Sequence, residues 1–335
     1  MLEILLDYAD RSRMNELGVD GFALIHLPSH LESLWMLELL IQHGADPNLR
    51  VHNGRRDPAL VHVLKSKHFD YASALLGHGA DPYMANIKGL DAVLTACRMG
   101  ATQFLEDIYC AKEIEGKINW RRTCTFVWRE NRYSDVNGLH LAASNGKVAV
   151  LEFYTNHDLL ESLESRSGNG FRPLHYAAMG GYEEVVKFLC LNGCDINAKG
   201  EDGSTALHLA AKFGHYEVVK RLKHSGCKWS LDAAGWSTLF YAHQSNEERL
   251  IEYLTTDNYN AIVDTKRGNM AFGIASTLRA KAAAKAFEDA IDKDDIALCY
   301  KLNSSGCDLD GFLLSCGGCS PLIKAIHNRR LRITE

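Results

Sequence analysis

Residues 167–231 read SGNGFRPLHYAAMGGYEEVVKFLCLNGCDINAKGEDGSTALHLAAKFGHYEVVKRLKHSGCKWSL, and they hold two copies of one pattern end to end. Gly170-Phe171-Arg172-Pro173-Leu174-His175 returns as Gly203-Ser204-Thr205-Ala206-Leu207-His208, 33 residues on. Ala177-Ala178 returns as Ala210-Ala211, Glu184-Val185-Val186 as Glu217-Val218-Val219, and Gly193-Cys194 as Gly226-Cys227.

Each copy has a physical logic. A glycine turn comes first, where φ > 0 carries little steric cost. The Leu-His and Ala-Ala positions then predict a first helix, small on its inner side so that a neighbour can approach. The Val-Val and Leu positions predict a second helix with an apolar stripe. Gly193 and Gly226 stand where that helix should stop in a left-handed conformation. One such unit cannot bury its apolar face alone, but stacked neighbours can.

The position of His175 serves as a ruler. It recurs at His26, Val61, Leu94, His140, His208, Phe240, Gly273 and Ile323, in steps of 35, 33, 46, 35, 33, 32, 33 and 50. Six of the eight steps lie within two residues of 33, which sets a repeat period over nearly the whole chain. A 33-residue period carrying T-P-L-H-x-A resembles the ankyrin repeat family. The match is closest over 167–231 and weaker near Leu94 and Gly273. The uneven steps look more like fungal or other eukaryotic members than like a designed array. The resemblance implies an all-α ankyrin-repeat solenoid of stacked helix-turn-helix repeats joined by short hairpin loops.

Taken in order, 1–19 is a partial repeat, with 2–8 fitting a second helix. Repeats 1–3 occupy 20–110; Pro28 and Ser29 replace the Ala-Ala pair of repeat 1 and should distort its first helix. The step of 46 places about 13 extra residues in 111–133, a loop or hairpin finger in which Thr123–Trp128 is the expected strand. Repeats 4–7 occupy 134–254. A degenerate repeat 8 with a long helix at 276–292 fills 255–310, and a truncated repeat 9 fills 311–335. Both ends fall inside a repeat, so the chain reads as a fragment or an incomplete gene product.

Candidate chemistry is sparse. Cys316-Gly317-Gly318-Cys319 has zinc-knuckle spacing, but no second pair stands nearby, and glycines belong in the hairpin that precedes Ser320-Pro321. Cys194, Cys227 and Cys307 take the position of Ala45 and Ala80 and read as small core residues. His26, His140, His175 and His208 recur at the repeat period, whereas an active site is made once. The resemblance assigns turn hydrogen bonding to Thr205 and His208. Asp195-Ile196-Asn197 after Leu189 also resembles the ankyrin asparagine site of animal asparaginyl hydroxylases, although the same residues are ordinary repeat sequence. Walker, H-E-x-x-H, G-x-S-x-G and kinase motifs do not occur. No enzyme activity, metal or cofactor is therefore expected.

The resemblance also implies a binding face, made by the hairpin tips and the first-helix ends. The ruler places Tyr133, Ser144, Asn145, Phe171, Met179, Glu201, Asp202, Ser204, Lys212, Phe213, Trp236, Gln244 and Ser245 there. Tyr133, Phe171, Phe213 and Trp236 are then the expected anchors, with Phe171 and Trp236 also able to cover a neighbouring hairpin. A second candidate is the finger, through Trp120, Arg121, Arg122, Trp128 and Arg129. Its bases and aromatics suit an acidic protein or nucleic acid, or a loop packed back on the repeats.

Composition bounds the rest. Hydrophobic residues make up 46% of 335, enough for a continuous core, and the net charge of −5 with no long run of one sign argues against nucleic-acid binding. The start MLEILLDYAD lacks a basic signal-peptide region, and no apolar run approaches membrane-spanning length. Ten cysteines then read as reduced thiols of the cytoplasm or nucleus. The expected role is a non-catalytic module binding a protein partner, as a monomer or as part of a larger chain or complex. The alternative is the recognition or sensor segment of a larger enzyme, such as a ubiquitin ligase or a signalling NTPase.

Overall fold

A computed structural model describes residues 14–18, 21–27, 33–52, 56–110, 119–128, 131–159 and 163–256. The expectations for 2–8, Pro28, Ser29, Arg129, Cys307, Cys316, Cys319, repeat 8 beyond 256 and repeat 9 lie outside these residues.

The first compact unit runs through Lys228. It opens with a 3-10 turn at Leu24–His26, where the other repeats carry a first helix of seven or eight residues. Helices follow in pairs: α1 (Leu34–Gln42), α2 (Ala59–Lys65) with α3 (Phe69–Gly77), and α4 (Ala92–Met99) with α5 (Thr102–Cys110). After the strands β1 (Thr123–Trp128) and β2 (Asn131–Asn137) come α6 (Gly138–Ser144) with α7 (Val148–Asn156), α8 (Pro173–Gly180) with α9 (Glu183–Leu191), and α10 (Ala206–Lys212) with α11 (Tyr216–His224). First helices pack on first helices along α2, α4, α6, α8 and α10. Second helices do the same along α1, α3, α5, α7, α9 and α11. The second unit begins at Trp229; its described part holds α12 (Thr238–Ser245) packed on α13 (Glu248–Thr256).

Burial follows the repeat. Ala142, Ala143, Ala177, Ala178, Ala210 and Ala211 are fully buried, which lets the first helices lie close together, and Val186 and Val219 are fully buried on the second helices. A Cβ at Gly193 or Gly226 would meet nothing, so it is their φ of 78° and 88° that requires glycine there.

Two ladders of polar contacts recur at the repeat period. In the first, the His140, His175 and His208 Nδ1 atoms accept the N–H of Asn137, Arg172 and Thr205, each at 3.1 Å. The proton therefore sits on Nε2, where His140 donates to the Ser165 carbonyl at 2.9 Å and His175 to that of Ala198 at 3.1 Å. Each ring thus closes its own helix start, and those of His140 and His175 also grip the next turn of chain. In the second ladder, Asn15, Asn48 and Asn197 accept the backbone N–H of Asp46, Asp81 and Lys228 at 2.8, 2.7 and 2.7 Å. Glu164 takes the same rung toward Asp195 N–H at 2.9 Å, its charge met by Arg172.

The finger differs from its expected limits. β1 and β2 pair antiparallel with a register irregularity between Cys124 and Phe126. β2 runs on through Asn137, past the expected end at 133, because Asn137 also caps α6 through its side chain. The described part of the insertion therefore takes the hairpin form of the two expected.

Candidate functional site

The expected anchors do not form an exposed strip. Tyr133 on β2 and Phe171 in the next hairpin are 7% and 5% exposed. Their rings lie 6.0 Å apart and meet Tyr176 from α8 at 5.7 and 6.3 Å, and Phe171 also stacks on His175 at 5.1 Å. Large apolar rings at a hairpin shed water most fully under the adjacent hairpin, so they join the repeat core. Met179, Ser144 and Ser204 are buried as well. The Ser144 hydroxyl donates to the Leu141 carbonyl at 3.0 Å, and Ser204 N–H and Oγ donate to Asp202 at 2.9 Å each. These five residues hold the array together and are not available as a partner surface.

The other positions stay open to solvent in part or whole. Glu201, Asp202 and Lys212 are exposed, while Asn145 and Phe213 are half-buried. Phe213 follows the last turn of α10, at the open end of that first helix. In the second unit, half-buried Trp236 stacks on Phe240 at 3.9 Å with 13° between planes, and Gln244 is exposed. The Ser245 hydroxyl donates to the Ala242 carbonyl at 2.8 Å.

The base of the finger is tied down rather than displayed. Trp120 lies 5.6 Å from Phe153 and 5.7 Å from Tyr154 on α7. Arg122 Nε stands 2.5 Å from the buried Asp91 carboxylate and its guanidinium 5.3 Å from the Tyr83 ring. Asp91 caps α4, accepting Leu94 N–H at 2.9 Å. Burial raises the Asp91 carboxyl, and the Leu94 hydrogen bond and the Arg122 charge pull it back. Arg121 is exposed; Trp128 closes β1 opposite Asn131. Asp91 holds the helix-start position of its repeat, as Asn137 and Thr205 do, but Arg122 comes from the finger, off the repeat register, so the pair was hidden in the sequence.

The titratable groups read as structural. Burial pushes His140 and His175 down to about 4, so both are neutral in the fold. Cys194 and Cys227 are buried, as their repeat position implies. The Asn197 carboxamide oxygen is occupied by Lys228 N–H. Among the described residues no group of three His, Cys, Asp or Glu could hold a metal ion, and no helix is long and apolar enough to cross a membrane.

Antiparallel helix pairs, joined by hairpins and stacked at a 33-residue period, define a helical-repeat protein. Residues 139–190 and 174–222 match the family model "Ankyrin repeats (many copies)". In fold the chain is similar to the human ASB11 ankyrin repeat domain, at 22% identity and a TM-score of 0.54 over 69% of this chain and 97% of that one. It is also similar to the ankyrin repeat domain of Bcl-3, a member of the IkappaB protein family, at 20% identity and a TM-score of 0.51 over 70% and 99%. Residues 139–222 are ankyrin repeats, and the fold is the ankyrin-repeat solenoid. In sequence it is similar to the ADP-ribosylation factor GTPase-activating proteins AGD4 and AGD2 of Arabidopsis thaliana, 37% and 36% identical over 83 residues. That stretch is 25% of this chain, and it spans 10% of the length of those relatives. Ankyrin repeats generally mediate protein–protein interaction, and ankyrin repeat domains are typically not enzymes.

Proposed function

We propose that this chain is a non-catalytic interaction module that takes a protein partner on the hairpin and first-helix face of its middle repeats. The observation that carries the reading is Phe213, an aromatic ring only partly covered at the open end of α10 beside exposed Lys212, in a repeat whose hairpin carries the exposed charges Glu201 and Asp202. A partly desolvated aromatic with a charged rim is the composition of a binding hot spot. Asn145 takes the equivalent place after α6. On this reading the module works in the cytoplasm or nucleus and binds neither nucleic acid nor membrane. Affinity capture with the purified chain supplies the partner. Phe213→Ala should then weaken binding by about 2 kcal/mol or more, while Lys187→Ala and Lys220→Ala on the second helices leave it alone. Equal binding by Phe213→Ala, with loss in the second-helix variants, would move the site to the opposite face.

A second reading rests on the two Arabidopsis relatives, which are matched over a tenth of their length. On it, the repeats are the recognition segment of a larger signalling protein. Full-length transcript sequence tests this: flanking catalytic motifs support it, and their absence removes it.

A further inference from the structure

Neighbouring hairpins are joined by a backbone hydrogen bond at three junctions: His52 N–H to Gly21 O at 2.7 Å, Gly168 N–H to Ser134 O at 2.9 Å, and Glu201 N–H to Asn169 O at 3.0 Å. Between the repeat 3 hairpin, with Gly89 at its tip, and β1, no such bond occurs among the described residues. Gly89 still lies against Cys124, and beyond that contact, toward Trp128, a seam is left.

A cavity of about 110 Å³ occupies the seam, lined among others by Lys65, Lys88, Arg98, Thr125, Phe126 and Val127. Among the described residues three of its lining side chains are cations and none is an acid. Lys65 already answers Asp57 at 2.7 Å. Lys88 and Arg98 enter no ion pair among the described residues.

Among the described residues β1 pairs with β2 alone, whereas β2 is followed on its far side by the Gly168 bond. In an antiparallel pair, alternate residues turn N–H and C=O away from the partner strand; Gly89 lies against Cys124 at the start of β1, and from Thr125 to Trp128 the outer edge meets no other strand among the described residues. Two exposed apolar side chains flank the seam, Val127 at 52% on β1 and Ile87 at 66% beside Lys88.

We propose that this seam docks an extended, acidic segment of a protein partner, which adds to the outer edge of β1 and sets a carboxylate between Lys88 and Arg98. The edge demands a strand-forming backbone and the cations demand an acid. Val127 and Ile87 demand apolar residues in alternation with that acid. The proposal rests on the protein-binding reading above but uses a different surface from Phe213.

A fluorescein-labelled peptide of alternating valine and glutamate, followed by anisotropy, is the probe. Saturable binding is expected, absent when lysine replaces glutamate. Lys88→Glu with Arg98→Glu should lower affinity at least about tenfold; exposed Lys88→Glu alone serves if the double variant does not fold. N-methylation of alternate amides should abolish binding in one of its two phases. Phe213→Ala should leave the peptide bound. Unchanged affinity in Lys88→Glu overturns the pocket, and full binding by both N-methylated peptides overturns strand addition. Tighter, Lys88-dependent binding of an oligothymidylate of equal charge overturns the protein segment in favour of nucleic acid. If the peptide fails while Phe213→Ala still weakens a captured partner, the seam alone is lost and the Phe213 face stands.

Discussion

Repeats 5 and 6 and the junction of repeats 3 and 4 solve the same problem by opposite means. In repeats 5 and 6, the polar contacts at the helix starts and between neighbouring turns recur at the repeat period. His175 and His208 bind the N–H at their own helix starts alike, and Glu164 and Asn197 occupy the same rung. At the junction the ruler position is Leu94, which has no ring nitrogen to offer. The helix start is capped instead by the Asp91 carboxylate, whose buried charge is met by Arg122 from the finger. Cys97 and Tyr154 make another contact of this kind, 3.3 Å apart. Periodic contacts stabilise without creating a distinct surface. Single-copy contacts stabilise while breaking the periodic surface, and the seam beside β1 is the result.

The sharpest way to break the comparison is to put a charge into the periodic core. Val186→Asp or Val219→Asp should unfold the middle repeats, since an unpaired carboxylate in that core costs several kcal/mol. Val127→Asp, on the exposed side of β1, should melt like the parent chain. Equal melting of Val186→Asp would sink the repeat register.

A pH titration separates the two regions next. His140 and His175 are held neutral by burial at about 4, against 6.5 for the unfolded chain. Their contribution is complete above pH 6.5 and is lost as pH falls toward 4, where the unfolded chain takes up protons that the fold refuses. Each histidine is worth up to about 3 kcal/mol at the low end of that window. Asp91, raised by burial, pulls the other way nearer pH 4. The urea midpoint should therefore fall between pH 7 and 5; a flat profile would show that the rings are not held as described.

The smallest of these effects belongs to the junction itself. Arg122→Ala leaves Asp91 buried with its carboxylate unanswered, at a cost of about 2 kcal/mol, reduced from that of a fully buried pair because Arg122 is about a third exposed. Asp91→Asn in the same chain should recover part of the loss. A melting temperature indifferent to Arg122→Ala would leave the cap to Leu94 N–H as the whole role of Asp91.

What could be read from the residues divides along the same line. The helix pairs, the glycine stops and the core valines were legible because each is stated twice or more, 33 residues apart. Strand β1 was legible from the β-branched and aromatic run at Thr123–Trp128. The anchor strip was misread because repeat position specifies where a side chain starts, not which neighbour covers it. Phe171 and Phe213 both fall at repeat-defined surface positions, yet one is stacked under a hairpin and the other is half open. The seam was invisible for a related reason. Lys88, Arg98 and Thr125 come from three separate elements, and nothing in their spacing brings them together.

The rungs formed by Asn15, Asn48, Glu164 and Asn197 give the array a direction. Each side-chain oxygen receives an N–H that lies 31 or 33 residues later in the chain, never earlier. Loss or gain of one whole repeat therefore leaves every acceptor matched to a donor, whereas a cut of half a repeat strands one of each. Duplication or deletion of the gene in whole-rung units would therefore keep this pairing intact.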